Sequence, residues 1–140
     1  MQQIHGRCLC GEIRFAITGK TTEIGMCHCS KCRRVSGVAS NANLMTGRDG
    51  LVWISGEDRI TKFKLASGWG VWRCETCGSP VPMLHPDGGA YWVPVGLLAT
   101  DPGVHVAGHV YVGSKAPWDE IPGDCPQHKD GFGSRRLNKP

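Results

Sequence analysis

Wherever the apolar and polar positions of this chain show a period, that period is close to two. In "EIRFAIT" the apolar Ile13, Phe15 and Ile17 alternate with outward-facing neighbours, which predicts a half-buried strand directly after Cys8 and Cys10. "LVWISG", "ITKFKL" and "GVWRC" are further short runs rich in β-branched and aromatic residues, separated by "GEDR" and "SGWG". A hairpin about "SGEDR" follows from that spacing. "PVPML", "AYWVPVGLL", "VHVAG" and "HVYVGS" continue the pattern, and Trp53, Trp69, Trp72 and Trp92 read as core aromatics. Only "SKCRRVSG" predicts helix, and no more than a short turn. The expectation is an all-β, mainly antiparallel fold of short strands with cysteines at their ends.

Composition narrows the class. The 140 residues suit one domain, expected over residues 1–125, with a mobile tail over 126–140 that ends in "GSRRLNKP". A chain of this length buries about two-thirds of its unfolded surface. With 40% apolar and 20% charged residues it is not a disordered chain, and 20 glycines and nine prolines favour a turn-rich β fold. The opening "MQQIHGRCLCGEIRF" contains no apolar h-region, so no secretory signal is expected. The richest apolar run, "YWVPVGLLA", is broken by Pro94 and falls short of the roughly 20 residues that span a bilayer. A cytoplasmic protein with no membrane contact is expected.

Eight cysteines in such a chain call for explanation, because a reducing compartment disfavours disulfides and favours metal binding or catalysis. They fall at Cys8 and Cys10, at Cys27, Cys29 and Cys32, at Cys74 and Cys77, with Cys125 alone. "RCETCGSP" has the two-residue spacing that lets both thiolates reach one ion, and "RCLCGE" is a tighter version with the same trailing glycine. Cys8, Cys10, Cys74 and Cys77 together make a closed four-thiolate structural site, worth on the order of 10 kcal/mol to folding. The alternative is four small buried core residues. "MCHCSKCRRVSG" holds three thiols where a closed site takes four. The fourth position is either filled from Cys125, His28 or a distant histidine, or left open as in catalytic zinc sites. The formal charge of +4 supports nucleic-acid binding only weakly. Seven thiolates and two dications together remove three charges, leaving about +1.

The order C-x-C-G, then C-H-C-S-x-C-R-R-x-S-G, then C-x-x-C-G, then "HVYVGSKAPW" resembles the glutathione-dependent formaldehyde-activating enzyme family over roughly residues 5–122. That family shares its domain with centromere protein V. The resemblance implies an Mss4-like, or β-tent, fold tied by two zinc ions per chain. It implies that Cys8, Cys10, Cys74 and Cys77 hold the structural zinc and that Cys27, Cys29 and Cys32 hold a catalytic zinc with an open fourth position. The implied activity is that of a carbon–sulfur lyase joining formaldehyde to glutathione as S-hydroxymethylglutathione, or cleaving such small-aldehyde adducts of glutathione or other thiols. A non-catalytic zinc-stabilised binding module is the alternative, in line with the centromere-protein relatives. The expected partners are a small thiol and aldehyde; a homodimer is left open.

Around the triad, Arg33 and Arg34 are candidates for holding a substrate carboxylate, or for balancing thiolate charge. Ser30 and Ser36 are candidates for hydrogen bonds to the sulfurs, or for turn capping. His28 reads as a surface residue or one supporting the ligands, since it points away from an ion shared by its neighbours. Ser114, Lys115 and Trp118 lie in the "GSKAPW" stretch that the resemblance places near the pocket, with Lys115 attracting an anionic substrate and Trp118 forming a wall. The other reading is that Pro117 and Trp118 lock the last strand onto the core. His109 is a candidate proton shuttle or a satisfied strand histidine. Cys125 is expected to be exposed and unpaired, with His128 as an alternative ligand partner.

Overall fold

In the computed structural model, residues 2–139 are described. The strands are β1 (Ile4–Arg7), β2 (Arg14–Ile17), β3 (Ile24–Cys27), β4 (Asn41–Gly47), β5 (Leu51–Ser55), β6 (Ile60–Lys64), β7 (Gly70–Cys74), β8 (Pro80–Val81), β9 (Met83–Leu84), β10 (Ala90–Pro94) and β11 (Val106–Val110). Among the described residues one α-helix, α1 (Ser30–Ser36), lies in the stretch expected to be helical, and at seven residues it is longer than the short turn expected there. The protein is mainly β, as its period of two predicts. Its contacts divide into two units, Met1–Thr22 with Leu44–Gly103, and Glu23–Asn43 with Val104–Pro140.

In the first unit β1, β2 and β5 form an antiparallel sheet in the order β1-β2-β5, and β6, β7 and β8 form a second. The alternation in "EIRFAIT" is stricter in the sequence than in the fold: Ile13, Phe15, Ala16 and Ile17 are all buried. Small Ala16 fits the face that Arg14 leaves. Cys8, Ile13, Cys74 and Val81 make one buried cluster, with Trp53, Ile60, Trp72 and Cys77 packed around it. Trp53 and Trp72 each meet Tyr91 edge-to-face, at centroid distances of 6.1 and 6.5 Å. All four expected core tryptophans are half-buried, and Trp53 and Trp72 line the core with ring edges instead of filling it.

The hairpin expected about "SGEDR" does not form. The chain does turn there, through a 3₁₀ turn at Glu57–Arg59, but β5 pairs with β2 and β6 pairs with β7. The cause is local. Gly56 has φ 77°, its missing Cβ would run into the carbonyl of Glu12, and the Ser55 hydroxyl donates to that carbonyl at 3.0 Å. The end of β5 is thus tied to the start of β2, and the chain leaves for another sheet.

The second unit is built around β3. It pairs antiparallel with the start of β4 (Gly25↔Asn43, Met26↔Ala42, Cys27↔Asn41) and parallel with β11 (Gly108↔Gly25, His109↔Met26, Val110↔Cys27). Ile24, Cys32, Val110, Val112 and Ala116 are buried here. Beyond the "GSKAPW" stretch the chain returns to the free side of β11. The His109 amide donates to Pro126 O at 2.8 Å and the His128 amide to His109 O at 2.8 Å. It then doubles back on itself, with Lys129 N to Arg135 O at 2.8 Å and Leu137 N to Gln127 O at 2.7 Å. No described helix is long and apolar enough to cross a membrane.

Candidate functional site

Each unit carries one cluster of sulfurs. In the first, the turn after β1 and the turn after β7 bring Cys8, Cys10, Cys74 and Cys77 together, all four sulfurs within 4.8 Å of one another. Cys8 and Cys10 are 3.6 Å apart and Cys10 and Cys74 are 3.8 Å apart. A tetrahedral ion with metal–sulfur bonds of about 2.3 Å requires edges of about 3.8 Å; these two edges match that spacing, and the four-sulfur set is compatible with zinc. Gly11 and Gly78, at φ 82° and 77°, supply the left-handed turns that fold each pair of thiols back. The environment splits the sulfurs. The Ser79 side chain, with help from backbone amides, draws the Cys77 thiol down to about 5. The Ser79 oxygen lies 3.3 Å from that sulfur and also accepts the Leu9 amide at 3.0 Å. Cys10 is pushed up to about 12; the Glu12 amide favours its thiolate, but desolvation and the thiols of Cys8, Cys74 and Cys77 outweigh it.

In the second unit Cys27 ends β3, Cys29 caps α1 and Cys32 lies in its first turn, with the three sulfurs again within 4.8 Å. Cys29 does the work of an N-cap residue, its sulfur accepting the Cys32 amide at 3.3 Å. Hydrogen bonds from the thiols of Cys27 and Cys32, joined by the amides of Cys32 and Lys31, draw Cys29 down to about 2. The bond with Cys29 raises Cys27 in turn, and the bonds with Cys27 and Cys29 raise Cys32. Among the described residues the second cluster takes in neither Cys125 nor His28 nor another histidine. A soft three-sulfur set of this kind could hold a metal ion and is compatible with zinc.

A family model described as glutathione-dependent formaldehyde-activating enzyme matches residues 3–114. The chain belongs to that family. A search of curated proteins finds no match. Among solved structures, a crystal structure of a Rhodobacter sphaeroides protein, a structural-genomics target, is 22% identical. The match covers 73% of this chain and 98% of that one, with a TM-score of 0.59. That likeness is one of fold.

Several residues singled out in this family member from sequence meet in the second unit. Arg33 reaches from α1 to the carbonyl of Ser114 at 3.3 Å, and the Lys115 ammonium donates to Asp119 O at 2.6 Å. Arg34 is exposed on α1, and Trp118 is 72% exposed, so Trp118 does not lock the strand onto the core. Tyr111 introduces this loop in the left-handed region, at φ 55°, a conformation that costs a bulky residue about 1–3 kcal/mol. It is held there by its amide bond to Asp130 O at 2.8 Å and by Ser114 N donating to its carbonyl at 3.0 Å.

His28 is neither a surface residue nor a ligand. It is 2% exposed, its Nε2 lies 2.9 Å from His109 Nδ1, and its Nδ1 lies 3.3 Å from an Asp119 carboxylate oxygen, off ideal hydrogen-bond alignment. Burial lowers the pKa of both histidines; Asp119 opposes this at His28, and the charge of His28 adds to it at His109. Asp119 was the residue sequence reasoning passed over. Its only signal was its place directly after "KAPW". His128 is taken up by the ring of Phe132 at 5.4 Å, and the Cys125 thiol approaches Val106 O at 3.7 Å.

Proposed function

We propose that this protein is a zinc-dependent carbon–sulfur lyase of the formaldehyde-activating type, acting in the cytoplasm on adducts of small aldehydes with glutathione or a related thiol. Two zinc ions per chain are proposed, one held by Cys8, Cys10, Cys74 and Cys77, the other by Cys27, Cys29 and Cys32. The observation that carries the reading is the contrast between the clusters, four sulfurs against three, in a chain whose family model spans both. A three-sulfur site leaves one coordination position for an exogenous ligand, whereas a four-sulfur site leaves none. Zinc at the triad would supply a cationic position that acidifies an incoming thiol, whose ordinary pKa is about 8.5.

The chain's own residues account for the rest. In the forward direction a C–S bond forms between the thiol sulfur and the aldehyde carbon, the C=O π bond breaks, and the thiol proton ends on the new hydroxyl; cleavage is the reverse. Cys27, Cys29 and Cys32 would hold the ion as thiolates, having given up their protons on metal binding, so the proton left to move in the reaction is the substrate's. Arg33 and Arg34 on α1, with Lys115 in the facing loop, give an anionic thiol such as glutathione its carboxylate partners. The Ser114 carbonyl fixes Arg33, and exposed Trp118 offers an apolar flank. Holding thiol and aldehyde together is where the acceleration over the spontaneous addition arises.

The test is zinc content, glutathione binding and exchange rate in wild type and a Cys27→Ser/Cys29→Ser/Cys32→Ser variant. Two zinc ions falling to one, glutathione binding lost, and formaldehyde–glutathione exchange by NMR dropping to the spontaneous rate are expected. Two zinc ions with no glutathione binding in wild type would leave a zinc-stabilised binding module instead.

A further inference from the structure

We propose that Phe132 is a specificity wall beside the cysteine triad, biasing the site towards thiols that carry an aromatic or bulky apolar group. This deepens the reading of the triad as a thiol site and rests on it. The argument starts from two glycines. Gly25 of β3 and Gly108 of β11 face each other across the parallel pair. A Cβ built on either would stand 3.0 Å from the Phe132 ring, at Cε2 for Gly25 and Cε1 for Gly108. Both strands lack a side chain where the ring comes down, so it seats against the sheet itself.

The face on which it seats decides its role. Residues two apart along a strand point the same way and lie about 7 Å apart. Gly25 and Cys27 are two such residues in β3, so the ring and the Cys27 sulfur rise from one face as neighbours. Although seated on the glycines, Phe132 remains 58% exposed. One side of the ring rests on the strands and the rest is open to solvent. His128 flanks it at a centroid distance of 5.4 Å.

The ring is also well held. Ser134 donates its amide and its hydroxyl to Gly131 O, at 3.1 and 2.7 Å, and its hydroxyl oxygen accepts the Asp130 amide at 2.9 Å. The tip carrying Phe132 is thus a hydrogen-bonded turn at the end of a hairpin paired to β11. The family model stops at residue 114. The wall therefore comes from chain outside the matched region, which lets substrate choice vary while the sulfur cradle stays the same.

A fixed aromatic face adds about 0.5–1.5 kcal/mol for a stacked ring beyond simple burial, which is up to about tenfold in affinity. The experiment is calorimetric titration of the zinc-loaded full chain with benzyl mercaptan and with ethanethiol, for wild type, Phe132→Ala and Phe132→Leu. Wild type should prefer benzyl mercaptan by about two- to tenfold more than Phe132→Ala does, with Phe132→Leu in between and ethanethiol binding unchanged throughout. Phe132→Leu keeps an apolar seat on the glycines, so it guards against misreading a disordered hairpin. Equal preference in all three proteins overturns the wall and leaves the thiol site standing. Failure of wild type to bind either thiol overturns both.

Discussion

Cys29 occupies a position where helices usually carry serine or aspartate, and it caps with sulfur what those residues cap with oxygen. The two roles of this side chain separate by substitution. Cys29→Ser and Cys29→Ala should both lose the triad metal, but serine can still accept the Cys32 amide. Urea unfolding in micromolar zinc should therefore find Cys29→Ala less stable than Cys29→Ser by about 1 kcal/mol. The neighbouring His28 is a different case. Its identity was legible and its surroundings were not, because Asp119 and His109 lie 91 and 81 positions away in the chain and only the fold brings them to it. His28→Ala should cost about 3 kcal/mol, from an emptied buried site and the loss of the hydrogen bond to part-buried His109. The pH dependence has a definite sign. Both histidines fall below their ordinary value of 6.5 when folded, so the unfolded chain takes up protons first as the solution is acidified. Their contribution is complete above about pH 6.5 and is lost as pH falls below it. Melting temperature should drop more steeply between about pH 7 and pH 5 in wild type than in a His28→Gln/His109→Gln variant.

Among the elements, strands and the lone helix follow from local pattern, and partner choice does not. Turn chemistry told where the chain bends after Ser55 but not which strand it would meet, since that depends on Glu12, 43 residues away. The same distance effect concealed the pairing of β3 with β11 in parallel, which no adjacent turn announces. Gly56 is where a local residue enforces the non-local outcome. Gly56→Ala should lower stability by upwards of about 2 kcal/mol, because an alanine there meets both an unfavourable φ and the Glu12 carbonyl. Thermal unfolding measures it, with Gly37→Ala as a comparison. Gly37 has φ 66° but nothing within 4 Å of its missing Cβ, so its loss should be the smaller of the two.

At the scale of the whole molecule, the two sulfur clusters were the most legible feature of the sequence, because ligand spacing is a local property that survives folding intact. Each cluster falls inside one contact unit: Cys8, Cys10, Cys74 and Cys77 in the first, Cys27, Cys29 and Cys32 in the second. Their removal should have unequal effects. Cys8 and Cys74 are each 1% exposed and sit in the first unit's apolar cluster, so Cys74→Ser should forfeit most of a contribution on the order of 10 kcal/mol and yield little folded protein. The triple triad variant should still fold and melt cooperatively. Circular dichroism with and without a chelator reads the difference. The hairpin beyond residue 126 also bears on how this chain can be divided. Cutting it at Ser114, where the family match ends, would strip β11 of the amide and carbonyl partners it finds at Pro126 and His128. A strand so bared is a template for another molecule's edge, so the shortened protein should precipitate or dimerise where the full chain stays dispersed.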